Sequence, residues 1–142
     1  PTPVPTEIPT ATPTFTPTPT PTGTWPPLPG IDLVLSGAIF HEGDLFELTA
    51  EVTNPGPDTY QNIPMVILLD AAGQFFWYPS WDMAFDYRAI NVVNPSDISE
   101  ILSFTWPQVN GSVMGIHVYG ALLTPDFGAI LGTWDTVTFG WE

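Results

Sequence analysis

The chain has 142 residues, a formal net charge of −14, a single basic residue (Arg88), no lysine and no cysteine. Nucleic acids and anionic membranes are poor electrostatic partners, because no cluster of Lys and Arg is there to neutralise phosphates. Without cysteine there is no disulfide framework and no thiolate metal site, and no apolar run reaches the roughly 18 residues of a membrane span.

In chain order, Pro1 to Pro29 hold 11 of the 18 prolines, ten threonines fall within Thr2 to Thr24, and Glu7 is the only charge of that stretch. Such a composition cannot bury a core and favours polyproline II, with a reach of about 90 Å at roughly 3.1 Å per residue. Residues 1–30 therefore read as a stalk or tail, and Thr14, Thr16, Thr18, Thr20 and Thr22 are candidates for O-glycosylation that would stiffen it. The start at Pro1, with no signal peptide, reads as a processed form or a piece of a longer protein. Residues 31–142 amount to about 110, the usual size of one β-sandwich.

Within that domain strand signals recur and no stretch keeps a 3.6-residue period. Ile31 to Ser36 opens it. Leu45 to Thr53 alternates cleanly, with Phe46, Leu48, Ala50 and Val52 on one face and Glu47, Thr49, Glu51 and Thr53 on the other, as a half-buried strand does. Asn54-Pro55-Gly56-Pro57-Asp58 forbids continuation. Met65 to Leu69 is apolar on both faces, which predicts a central strand, and Ala71-Ala72-Gly73 turns it into Gln74 to Tyr78. Glu100, Leu102, Phe104 and Trp106 alternate with Ile101, Ser103 and Thr105. Asn110-Gly111 predicts a type I′ hairpin turn before Val113 to Leu123; Asn110-Gly111-Ser112 also fits a glycosylation sequon, but the turn accounts for Asn-Gly without sugar. Thr133 to Trp141 closes the domain, with Val137, Phe139 and Trp141 on one face. About seven antiparallel strands result, the count of an immunoglobulin-like all-β sandwich.

The segment from Gly43-Asp44-Leu45-Phe46 to Thr53-Asn54-Pro55-Gly56 resembles the second strand of bacterial extracellular immunoglobulin-like modules, where Gly-Asp opens a strand ending in Asn-x-Gly. Phe75-Phe76-Trp77-Tyr78-Pro79-Ser80-Trp81 and Phe104-Thr105-Trp106-Pro107 are similar to cell-adhesion-related modules behind Thr-Pro-rich linkers at the C-terminus of secreted bacterial proteins. The resemblance covers nearly the whole domain. It implies an extracellular or cell-surface, non-catalytic accessory or adhesion-type domain.

The catalytic inventory is thin. A hydrolytic triad needs a nucleophile and a base held by a third group, and the only histidines, His41 and His117, sit in a turn and in an alternating strand. Asp82 and Asp86 are the nearest carboxylate pair, and four residues apart in an aromatic loop they read as turn caps before they read as acid and base. Calcium takes carboxylate and carbonyl oxygens, so Glu42, Asp44, Asp82 and Asp86 are candidates, but no Asp-x-Asp-x-Asp-Gly loop is present. No cofactor is expected, and no enzyme.

The aromatic stretch carries more promise. Five rings in seven positions, Phe75 to Trp81, must send some outward, and exposed rings stack on sugars, anchor proteins or capture polyproline II chains. Tyr78 and Trp81 are the surface candidates; Trp77 joins them as a binding residue unless it fills the core as an inter-sheet tryptophan. Two functions remain. One is a self-associating structural module, its proline-rich tail lying on the sandwich of the next copy in a filament or array. The other is a carbohydrate-binding or adhesion module of a larger secreted protein, with polysaccharide as partner.

Overall fold

A computed structural model describes residues 2–3, 28–93 and 95–142, and its strands lie where apolar residues alternate. They are β1 (Gly30–Leu35), β2 (Ile39–Phe40), β3 (Leu45–Thr53), β4 (Tyr60–Ala71), β5 (Gln74–Trp77), β6 (Arg88–Val92), β7 (Ser96–Thr105), β8 (Val113–Leu122) and β9 (Asp135–Trp141). One sheet has the order β1-β3-β7, and the other runs β2-β9-β8-β4-β5 with β6 also on β4. All pairings are antiparallel except that of β2 with β9. The result is an all-β, two-sheet sandwich. No helix among the described residues is long and apolar enough to cross a membrane.

The faces follow from the alternation. Phe46, Leu48, Ala50 and Val52 of β3 are buried, as are Met65 and Ile67 of β4 and Ile116, Val118 and Leu122 of β8. At one end of the core the rings of Phe40, Phe46, Phe104, Trp106 and Phe139 pack together, Phe46 lying 4.9 Å from Phe40 and 5.0 Å from both Phe104 and Phe139. Burying each such side chain is worth roughly 1.5–3 kcal/mol.

Two expectations from sequence fail for local reasons. In β7, Leu48 pairs with Leu102 but Thr49 pairs with Glu100, so Ile101 is an extra residue at a bulge. The bulge breaks the period of two and lets Ile101 join the core rather than the face of Ser103 and Thr105. Asn110-Gly111 makes no hairpin either, because β7 and β8 belong to different sheets and residues 106–112 cross between them. The turn with both central residues left-handed is instead Ala72-Gly73, at φ 55° and 82°, joining β4 to β5. The short β2 and β6 carry no sequence signal of their own and bring the described strands to nine.

Three contacts bind β1 to the other sheet. The Ile31 amide donates to the Thr133 carbonyl at 3.2 Å, the Thr133 amide to the Pro29 carbonyl at 3.4 Å, and the Leu33 amide to Asp135 Oδ2 at 2.8 Å.

Candidate functional site

The site grows from β4. Along one of its edges, Met65 to Asp70 pair with β8; along the other, Tyr60 to Met65 pair with β6 and Leu68 to Ala71 with β5. Since β5 and β6 share one edge, residues 78–87 between them must leave it and return. They do so over the outer face of the six-stranded sheet, and residues 123–134, between β8 and β9, rise beside them.

The register decides which rings face which way. Leu68 pairs with Trp77 and with Tyr119, and Asp70 with Phe75, so Phe75, Trp77 and Tyr119 point to the outer face. Tyr78, one residue on, donates its amide to the Ile67 carbonyl at 3.0 Å and turns inward, where it is only 8% exposed. The surface expectation for Tyr78 is therefore corrected. Trp81 is half-buried, packs against the core and lies 5.7 Å edge-on to Tyr78. Trp77 is not the inter-sheet tryptophan; Trp106 is buried in the core, and Trp77 lines an outer groove.

That groove has a volume of about 180 Å³, with Val66, Leu68 and Ala121 as its floor and Trp77, Tyr119, Ile130 and Trp134 as its walls. Its rings continue outward: Phe85 lies 5.0 Å from Trp77 and 6.0 Å from Phe127, while Tyr87 lies 5.0 Å from Phe127. On the opposite side Trp134 lies 6.5 Å from Tyr119. Phe85 is 52% and Trp134 54% exposed, and neither packs against the core. Isolated exposed apolar residues are ordinary, but a contiguous patch of them marks an interaction surface. The volume lies below the roughly 300–1,000 Å³ of small-molecule sites.

The loops are held by their carboxylates. Asp86 accepts from the Ser80 amide (3.1 Å) and the Tyr87 amide (2.9 Å), and the Tyr87 amide first, then the Ser80 hydroxyl and amide, hold its carboxyl below the usual range. Asp82 accepts from the Met83 amide at 2.6 Å. Asp126 accepts from the Thr124 hydroxyl and the Gly128 amide, which lower its pKa in that order. Trp81 and Phe127 adopt left-handed conformations (φ 55° and 61°), each costing roughly 1–2 kcal/mol, so both loops hold strained aromatics.

The remaining candidates fall elsewhere. His41 lies between Asp44 and Glu142, at 3.3 and 3.4 Å, beside β2. His117 Nδ1 is 2.8 Å from Thr138 Oγ1 on the outer face, beside Tyr119. No group of three or more His, Cys, Asp or Glu among the described residues is placed to hold a metal. Thr14, Thr16, Thr18, Thr20 and Thr22, and the stalk as a whole, lie outside the described residues. Sequence reading missed Phe85, Tyr87, Phe127, Ile130 and Trp134. Their one signal was large apolar residues set inside turn chemistry, as in Asp82-Met83-Ala84-Phe85-Asp86 and Asp126-Phe127-Gly128.

Comparison with protein families finds no match, and comparison with curated proteins finds none either. Among solved structures the chain is similar to the sporulation control protein Spo0M of Bacillus subtilis, at a TM-score of 0.43 and 15% identity, over 81% of this chain and 49% of that one. The chain thus spans about half the length of that protein, and no functional residue is carried across.

Proposed function

We propose that the chain is a non-catalytic, extracellular structural module that associates with further copies of itself through the outer aromatic face of its six-stranded sheet. The observation that carries the reading is the run of rings from Trp77 through Phe85 and Phe127, facing Tyr119 and Trp134 across the groove. An immunoglobulin-like assignment is supported by strand order: β1, β3 and β7 fit the first, second and fifth strands of that fold, and β4, β8 and β9 the third, sixth and seventh. The Thr/Pro tract supports presentation on a stalk outside the cell. At −14 the copies repel, so association strengthens as salt screens the charge, over a Debye length of about 10 Å at 0.1 M.

Sedimentation velocity of the full chain over a hundredfold concentration range, in 0.5 M NaCl, tests this. Association should be lost in Trp134→Ser and in Phe85→Ser, both with unchanged melting. A wild-type chain that stays monomeric throughout overturns it. Retention of that monomer on insoluble polysaccharide, lost in Trp134→Ser, would instead establish the carbohydrate-binding reading, which the exposed rings of Phe85 and Trp134 also favour.

A further inference from the structure

We infer that the occupant of the outer groove is the Thr/Pro tract of a second copy of this chain, laid down as a polyproline II strand. The inference rests on the outer face being the docking surface, and three observations select this occupant. The first is the chemistry of the groove. An aliphatic floor between Trp77 and Trp134 accepts flat, rigid, apolar groups, and a proline-rich strand offers pyrrolidine rings with little ordering entropy left to lose. A sugar needs hydrogen-bonding groups at the floor, and Val66, Leu68 and Ala121 supply no polar side chain.

The second is charge. Asp82, Asp86 and Asp126 border the patch, so it disfavours acidic partners. All but one of the fifteen acidic residues lie at or beyond Asp32, leaving Glu7 as the tail's single charge. The tail is thus the part of a second copy that meets this face with least repulsion.

The third is where the tail leaves. Leu28 is 57% exposed and lies against Gly132, two residues from both Ile130 and Trp134, so the chain departs at the groove's rim. The sequence there, Trp25-Pro26-Pro27-Leu28-Pro29, has three prolines in five residues and by composition resists sharp reversal. At about 3.1 Å per residue in polyproline II, 27 residues amount to a reach of roughly 80 Å, enough for the tract of one copy to meet the groove of a neighbour. The contact is heterologous, the tail of one copy on the sheet face of the next, so it builds a ring where the rotation between copies closes and a filament where it does not.

The test replaces Phe85 of the full chain with the photoreactive p-benzoylphenylalanine and irradiates an equal mixture of 15N-labelled and unlabelled protein. Mass spectrometry then maps the crosslinks. The expected result is light-to-heavy crosslinks on residues 12–22, with association weakened about tenfold or more when Pro17, Pro19 and Pro21 are all changed to Ser. Crosslinks to residues 28–142 of the second copy, with association intact in the proline variant, overturn this inference while the docking face stands. Crosslinks confined to a single copy overturn it too. No crosslinks and no association overturn both.

Discussion

Gly132→Ala tests the clasp that ties β1 to the loop bearing Ile130 and Trp134. Gly132 has φ +75°, where an L-residue costs roughly 1–2 kcal/mol, and an added Cβ would be driven into the Pro29 carbonyl oxygen. Backbone cannot yield as a flexible side chain does, so Pro29 must move. That breaks the 3.4 Å Thr133-to-Pro29 bond and disturbs the 3.2 Å Ile31-to-Thr133 bond, each worth roughly 0.5–1.5 kcal/mol. Together the loss is about 2–4 kcal/mol, or on the order of 10–20 °C in Tm for a domain of this size. Differential scanning calorimetry of the full chain reads it directly. Gly37→Ala is the control, since there a Cβ meets the Phe40 ring at 3.4 Å and the Ile39 carbonyl at 4.0 Å, both ordinary contacts, with no left-handed φ, and its Tm should stay within a few degrees of wild type. If Gly132→Ala melts with the control, the clasp does not hold β1 and the reasoning fails.

Other outcomes follow from the same geometry. Phe46→Ala, at the centre of the ring cluster, should cost about 3–5 kcal/mol by denaturant unfolding, whereas Trp134→Ser should change stability by less than about 0.5 kcal/mol. Asp135→Ala removes the acceptor of the Leu33 amide and should cost about 1.5–3 kcal/mol in the same assay. Phe127→Asn relieves a left-handed aromatic, so it should match or exceed wild-type stability yet associate more weakly in sedimentation. The carboxyls of Asp86 and Asp126 titrate below their unfolded value of about 3.9. Their contribution is therefore complete above that pH and lost as pH falls through the folded pKa, so amide protection relative to the intrinsic exchange rate should fall in residues 78–87 and 124–128 below about pH 4 while the sheets stay protected.

The β3 boundaries, the inward face of that strand and the central place of β4 were legible because alternation and a doubly apolar run are local signals. The inward set of rings in β5 was not. Alternation separates Phe75 and Trp77 from Phe76 and Tyr78, but β4 is apolar on both faces, so only the pairing of Leu68 with Trp77 decides which set meets the core. That is why Tyr78 read as a surface residue. The bulge at Ile101 and the sheet-to-sheet crossing at Asn110-Gly111 are likewise set by partners distant in sequence. The outer aromatic face was hidden for the same reason, since Phe85 and Phe127 meet only because β4 pairs with β5, β6 and β8 at once.

Hydrogen exchange of the full chain, compared between dilute and concentrated protein in 0.5 M NaCl, tests the outer aromatic face most directly. Exchange should slow with concentration in residues 78–87 and 123–134 and stay unchanged along β1, β3 and β7. Slowing on that three-stranded sheet instead, or nowhere, would contradict the account.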